Sequence, residues 1–473
     1  MDERAMHDGQ AALFPDSDER LHTEQWLTGA LAGLDARIAD GPVTPDIDRA
    51  AVARDLAGFD FAAPRPLDEL LPWTITQLER GLVQITHPRY FGLFNPAPSF
   101  PAQCADRIAA AFNPQLATWT TSPIAVEIEA HVIRAIARRA GLPEGAGGHF
   151  TTGGAEANFT ALIAALTTLS PDFAEHGARG LPGSPTFYIS NEAHHAWIKI
   201  AHHAGIGRAA VRLVATDGQG RMDPAALLAA IETDRAQGRL PAMVVATAGT
   251  TGAGMIDPVE EIAAIARRFG LWCHVDAAWG GALIVSDRYR PLLAGIGQAD
   301  SLTIDAHKWF ATTMGCGMFL TRRPAVLSEA FRVTTGYMPS NLATLDPYVT
   351  TVQWSRRFLG LRLFLSLAAA GWGGYAAHVE QAIARIALLR DSLRQHGWQV
   401  ANDSPLAVLC VEPPPGSADP ATIVRRVLAS GTAWISVATF EGRPTIRACV
   451  THGRTTADDV ARLVTALAAA CPA

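Results

Sequence analysis

The chain has 473 residues, 49% apolar and only 18% charged, with a net charge of −6. That is enough for two to four domains at roughly 100–200 residues each, and the lack of any basic block or stripe argues against a nucleic-acid partner. Of its 39 basic residues only Lys199 and Lys308 are lysines, so chemistry that needs a lysine amine has two candidates.

The start of the chain (MDERAMHDGQ) is polar and charged and lacks the apolar core of an export signal. Residues 1 to about 85 read as mainly helical, because Leu27, Leu31, Leu34 and Ile38, then Leu67, Leu70, Leu71 and Ile75, recur at helical spacing. The Pro- and aromatic-rich run at 87–101 is too irregular for a helix, and its prolines resist a central strand. From about 125 to 325 the pattern alternates. A helix at 125–139 leads through a Gly-rich turn (145–148) to TTGGAEAN and a helix at 155–168. Strands follow at 185–190, 211–215 and 242–247, separated by a helix at 194–204 and one starting at Asp223–Pro224. Another helix starts at Asp257–Pro258, and short apolar runs follow at 271–275, 301–305 and 316–320. An Asp before Pro at a helix start is a cap ahead of a pre-set first turn. Such alternation predicts an α/β domain around a largely parallel sheet.

The most apolar stretch, 358–377, is broken by Arg362, Gly371, Gly373 and Gly374. No apolar run reaches the ~18 residues of a membrane span, so no membrane partner is expected. Beyond it lie a long helix (about 374–396), a strand (406–411), a helix (420–429), strand-like runs at 432–439 and 444–450, and a last helix (455–470). Three units are expected: an N-terminal helical segment (1–85), a large α/β domain (86–373) and a small C-terminal α+β domain (374–473). The six dispersed cysteines form no CxxC pair and read as thiols of a reducing, cytoplasmic compartment.

Four segments at strand ends or helix starts carry the chemistry, where ligands bind in open α/β sheets: TTGGAEAN (151–158), NEAHHAW (191–197), HVDAAWG (274–280) and DAHKW (305–309). Gly153–Gly154 opening a helix lets backbone N–H groups approach an anion, although such pairs also make ordinary turns. Asp276 at a strand end can cap a helix, hold a metal or pair with a buried cation. Lys308 runs into Trp309–Phe310, which suggests a partly buried amine able to form Schiff bases. An anion cradle, a carboxylate and a nucleophilic amine together are what pyridoxal 5'-phosphate (PLP) requires. Lys199 sits inside a helix with no Asp-bearing strand end beside it. The histidines at 194, 195, 202 and 203 lack a carboxylate to complete a metal set, so no metal is expected. The run Gly249–Gly254 lacks the G-x-G-x-x-G spacing of a dinucleotide site.

These segments resemble the group II PLP-dependent amino acid decarboxylases, the family that includes aromatic-L-amino-acid decarboxylase, over roughly residues 85–460. The resemblance implies fold type I, with a mostly parallel seven-stranded sheet. It implies that Lys308 holds the cofactor, His194 stacks on its ring, Ala278 leaves room on the other face and Asp276 partners the ring nitrogen. Gly154 and Ala155 would contact the phosphate, with Thr247 near the ring and Asp305 and His307 in the cofactor-contacting stretch. AFRVTTGYM (330–338) resembles the catalytic loop, so Tyr337 would protonate Cα after CO₂ leaves. WSRRFLGLRLF (354–364) is similar to the family's Arg-Arg segment. A homodimer with interfacial active sites is implied as well.

The same resemblance assigns the substrate pocket to Leu93, Phe94 and Asn95, and to Gln115, Ala117 and Trp119 of the partner subunit. Phe94 and Trp119 suit an aromatic L-amino acid. Leu93, Gln115 and Ala117 depart from the aromatic-specific pattern and keep acidic, diamino and aliphatic substrates open. Oxidative deamination to an aldehyde and transamination are the competing reactions on this fold. Tyr337 favours decarboxylation.

Overall fold

Seven strands form one sheet in the computed structural model, which describes residues 12–333 and 346–472. They are β1 (Gly147–Thr151), β2 (Pro185–Ser190), β3 (Val211–Val214), β4 (Leu240–Thr247), β5 (Trp272–Asp276), β6 (Ser301–Asp305) and β7 (Gly317–Thr321). Their spatial order is β1-β7-β6-β5-β4-β2-β3. All pairs from β3 to β6 are parallel, and β7 runs antiparallel to both β6 and β1. This is the mostly parallel α/β sheet that the sequence predicts. The central strands are buried on both faces, which is why they read as mainly apolar runs, with His274, Ser301 and Thr303 as buried polar exceptions. Successive residues split between two cores: Phe187, Met243 and Val245 face one, Tyr188, Val244 and Ala246 the other.

A second, antiparallel sheet holds β8 (Gln399–Val400), β9 (Val408–Glu412), β10 (Ser436–Phe440) and β11 (Arg443–Cys449), in the order β10-β11-β9-β8. Ahead of the large sheet lie the helices Ser17–Leu31, Leu34–Asp40, Arg49–Ala57 and Leu67–Gly81, none of which buries a single residue. Among the described residues no helix is long and apolar enough to cross a membrane.

Three local expectations are corrected. The leucine spacing over 27–38 is cut into two helices at Gly33, whose φ of +71° ends the run. The glycines at 147–148 are not a turn but the start of β1. A Cβ on Gly148 would lie 1.9 Å from the Phe319 carbonyl oxygen, so glycine is what lets β1 pair with β7. The long C-terminal helix begins earlier, at Gly360, and is interrupted at Gly371 before it runs on to Gln395.

Asp257 is a fourth. Asp223 caps its helix by accepting from the Ala225 N–H, as the Asp-Pro pattern predicts. Asp257 does not. It is buried, and accepts from the Met222 N–H and the Thr247 N–H, each at 2.7 Å. It thereby ties the turn before Asp223 to the end of β4. Burial pushes its carboxyl up from 3.8 to about 7. An acid whose pKa is raised on folding favours the folded state below that pKa. Its contribution falls as pH climbs from about 4 to about 7. Asp257→Asn cannot accept both N–H groups and should be destabilised by roughly 1–3 kcal/mol at pH 5. The gap to wild type should narrow by pH 8. Urea unfolding of both chains across this range checks it, and a gap that widens with pH would reject this role.

Candidate active site

The parallel strands end side by side, and the site is built on those ends. Thr247 closes β4 and pairs in register with Asp276, which closes β5. Asp305 closes β6 on the other side. The chain then turns through His307 and Lys308. Facing these ends is the helix Gly154–Leu169, whose first turn follows β1 directly. Between them lies a cavity of about 280 Å³. Its walls include Gly154, Ala155, His194, Thr247, Asp276, Ala278, Asp305, His307 and Lys308, the nine positions that the family resemblance assigns to the cofactor. Lys199 stands exposed on the helix Ala196–His203, outside this cavity.

Asp276 is held from two sides. Its Oδ2 accepts from Asn158 Nδ2 at 2.8 Å and its Oδ1 from the Ala278 N–H at 3.2 Å. Asn158 is itself oriented by His274, whose Nε2 lies 3.1 Å from Asn158 Oδ1 while Nδ1 lies 2.8 Å from Ser301 Oγ. Burial holds His274 down at about 4, so it is a neutral ring in this chain of contacts. Asn158, the last residue of TTGGAEAN, is a supporting residue that the motif alone does not reveal. Its signal was an amide among buried alanines, between Ala157 and Ala161 on the packed face.

Lys308 Nζ lies 3.1 Å from Asp305 Oδ2. His307 Nδ1 sits at the backbone of Cys316, 2.9 Å from its carbonyl oxygen, which leaves Nε2 on the cavity side 3.9 Å from Asp305. His194 Nδ1 accepts from the Ala196 N–H at 3.2 Å, so the neutral ring carries its proton on Nε2. Burial lowers its pKa, partly offset by the Asp276 charge.

PLP fits this set on two further observations. Thr247 Oγ1 and Asp305 Oδ1 are buried polar atoms without a hydrogen-bond partner, and both residues line the cavity. Gly154 leaves the helix start open: a Cβ there would come within 2.9 Å of Asp305 Oδ2.

Of the expected substrate residues, only Phe94 lines the cavity. One face of its ring stacks on Trp279 at 4.1 Å, and Trp279 stacks in turn on Trp309 at 4.6 Å. The Arg447 guanidinium lies 4.7 Å from the ring centroid of Phe94. Leu93 is half exposed, and Asn95 bonds Met314. Gln115 bonds Ser355, Ala117 is buried, and Trp119 Nε1 donates to Glu127. Tyr337 lies outside the described residues.

Arg447 is a residue that the sequence reading missed. It comes from β11 of the other sheet and is buried. Its Nη1 donates to the Gly92 carbonyl and its Nε to those of Thr251 and Gly252, while Nη2 has no partner. Nothing local to 443–449 signals this role, because the contacts are to segments hundreds of residues earlier.

A family model described as the pyridoxal-dependent decarboxylase conserved domain matches residues 62–411. The chain is 34% identical over 318 residues to an acidic amino acid decarboxylase of Mus musculus, covering 66% of this chain but 58% of that protein, under two thirds of its length. It is 31% identical over 446 residues to L-2,4-diaminobutyrate decarboxylase of Rhizobium meliloti, covering 89% and 88% of the two chains. The crystal structure of mouse CSAD in apo form is similar with a TM-score of 0.90 at 26% identity, covering 97% of this chain and 100% of that one.

Proposed function

The chain belongs to the pyridoxal-dependent decarboxylases, and from that premise we propose that it converts an L-amino acid to the corresponding amine and CO₂ with PLP as cofactor. The observation that carries this reading is the convergence of Lys308, Asp276 and the first turn of helix Gly154–Leu169 on one cavity. Bound there, PLP supplies a protonated ring that accepts the electron pair of a bond breaking at Cα.

The chain's own groups do the rest. Lys308 offers the amine. Asp276, fixed by Asn158 and the Ala278 N–H, offers a negative charge to the ring nitrogen. Gly154 and Ala155 offer backbone N–H groups at a helix start to the phosphate. His194 and Ala278 line the two faces of the ring site. Tyr337 is assigned the return of a proton to Cα.

An aromatic L-amino acid is the leading substrate. Phe94 has Trp279 on one face and Arg447 against its ring, so it offers its edge, which suits an edge-to-face contact with a substrate ring. A second reading rests on Arg447. Its unpartnered Nη2, beside Phe94, suits a carboxylate and supports an acidic side chain.

A homodimer in the cytoplasm completes the proposal. Two observations support the dimer. Gln115 and Trp119 stand off the cavity of their own chain, and large apolar side chains are exposed, among them Phe112 at 81% and Ile124 at 71%. The free cysteines suit a reducing compartment.

The test is a screen of the loaded enzyme against the proteinogenic amino acids, ornithine and diaminobutyrate. Amine with CO₂ is expected. Aldehyde with ammonia and peroxide would replace the reading with an oxidative deaminase, and a keto acid formed only with a 2-oxo acid would replace it with an aminotransferase. Arg447→Gln separates the side-chain readings. If Arg447 binds an acidic side chain, the variant should lose roughly tenfold or more in kcat/KM on acidic substrates and little on aromatic ones. Equal losses on both would assign Arg447 to the carboxylate that all substrates share.

A further inference from the structure

Asp305 and Asp276 are the two carboxylates of the cavity among the described residues, and they are placed differently. Asp276 has both oxygens hydrogen-bonded. Asp305 has one oxygen on Lys308 Nζ at 3.1 Å and the other buried without a hydrogen-bond partner. Two glycines clamp it in place. A Cβ on Gly154 would meet its Oδ2 at 2.9 Å, and a Cβ on Gly317 would meet its Oδ1 at 2.7 Å. The carboxylate therefore lies against the helix start that would hold the cofactor phosphate. Among the described residues no arginine lines the cavity to separate the two anions.

The groups that face Asp305 are few. From its own segment come Lys308 and His307, whose Nε2 lies 3.9 Å away. His194 and Cys316 feel its charge from the segments after β2 and before β7. Glu156 of the facing helix is turned to the Thr152 N–H and hydroxyl, and Asp276 of β5 to Asn158. Arg362, which faces Cys316, is committed to Asp106 and to the carbonyls of Met314 and Gly315. Among the described residues Asp305 is the carboxylate within ion-pair reach of Lys308.

A lysine ammonium has no lone pair and must lose a proton before it can attack a carbonyl. We propose that Asp305 is the proton acceptor for Lys308 during cofactor loading, and that it keeps the proton as a hydrogen-bond donor to the cofactor phosphate. One N–H bond at Nζ breaks and its electron pair would form the C–N bond to the cofactor carbonyl carbon, whose oxygen would leave as water with the two hydrogens remaining on nitrogen. One O–H bond forms at Oδ2, so no net proton is released to solvent. Protonation also removes the repulsion between the carboxylate and the phosphate. The inference rests on the PLP reading above.

The test is the loading of cofactor-free full-length chain, wild type against Asp305→Asn, between about pH 6 and pH 9. Visible absorbance gives the loading rate. Calorimetry in buffers of different ionisation heat counts protons. Wild type should load at a rate that varies little with pH. Asp305→Asn should load at least about tenfold more slowly at pH 6, accelerate as pH rises, and release about one more proton per site. Asp305→Ser, with a smaller side chain, should behave alike, and added formate should restore its loading rate. A role confined to structure would leave the proton count unchanged and give no rescue by formate. Equal proton counts and parallel pH profiles in wild type and Asp305→Asn would overturn the inference. Failure of wild type itself to load would overturn the PLP reading, and this inference with it.

Discussion

Lys308→Ala should lose the visible absorbance of the bound cofactor and at least about a thousandfold in CO₂ release. The other lysine cannot stand in for it. Lys199 is exposed on the helix Ala196–His203 and does not line the cavity. The loss has a second component, because removing the amine leaves Asp305, 2% exposed at its side chain, without its ion-pair partner. An orphaned buried charge of this kind is destabilising by roughly 3–5 kcal/mol. Lys308→Arg separates the two effects, since the guanidinium can keep the pair to Asp305 but cannot condense with a carbonyl. Loss of absorbance and turnover in both variants, with the arginine chain melting close to wild type, assigns the effect to chemistry. Borohydride reduction of the loaded wild type followed by peptide mass analysis should place the adduct on Lys308. The chain holds two lysines, so the readout is binary. Retained absorbance and full turnover in Lys308→Ala would end the assignment.

The strand ends were legible in the sequence for a physical reason. Strands buried on both faces are mainly apolar, so a polar residue closing such a run stands out. Thr247, Asp276 and Asp305 each close one. Parallel pairing then brings the three ends to one edge of the sheet, which no single segment states. Residues that act through distant partners were not legible. Asp257 carries the local pattern of a helix cap, yet the folded chain puts it between two backbone N–H groups that the pattern does not mention. Arg447 looks like any arginine of an edge-proximal strand until β11 is laid against residues 92 and 251–252. The substrate residues were the least legible. Leu93, Phe94 and Asn95 are consecutive, but in an irregular segment their side chains diverge, and Phe94 alone turns to the cavity.

Asp276→Asn should cut turnover by roughly a hundred- to a thousandfold while the chain still loads its cofactor. The proposed work of Asp276 is to keep a ring nitrogen protonated, and that depends on charge rather than on shape. The hydrogen-bond partners of Asp276 are neutral, so they hold that charge in place without supplying or cancelling it. His274, with its pKa held at about 4, stays neutral and serves to orient Asn158. Asn158 spends its amide N–H on Asp276 Oδ2, and the Ala278 N–H goes to Oδ1. An asparagine at 276 is nearly the same size but neutral, so the ring site keeps its outline and loses its field. It also costs one hydrogen bond at this pair, about 1 kcal/mol, because either the Asn158 amide or the Ala278 N–H then meets an NH₂ group. That loss is too small to account for a hundredfold drop, which makes the two contributions separable. Asn158→Ala should cost Asp276 only its orientation and reduce turnover far less than Asp276→Asn does. Measuring kcat and cofactor affinity for both variants gives the decisive comparison. Equal falls in kcat for the two would mean that Asp276 acts through position, and a near wild-type kcat in Asp276→Asn would remove the ring-nitrogen role altogether.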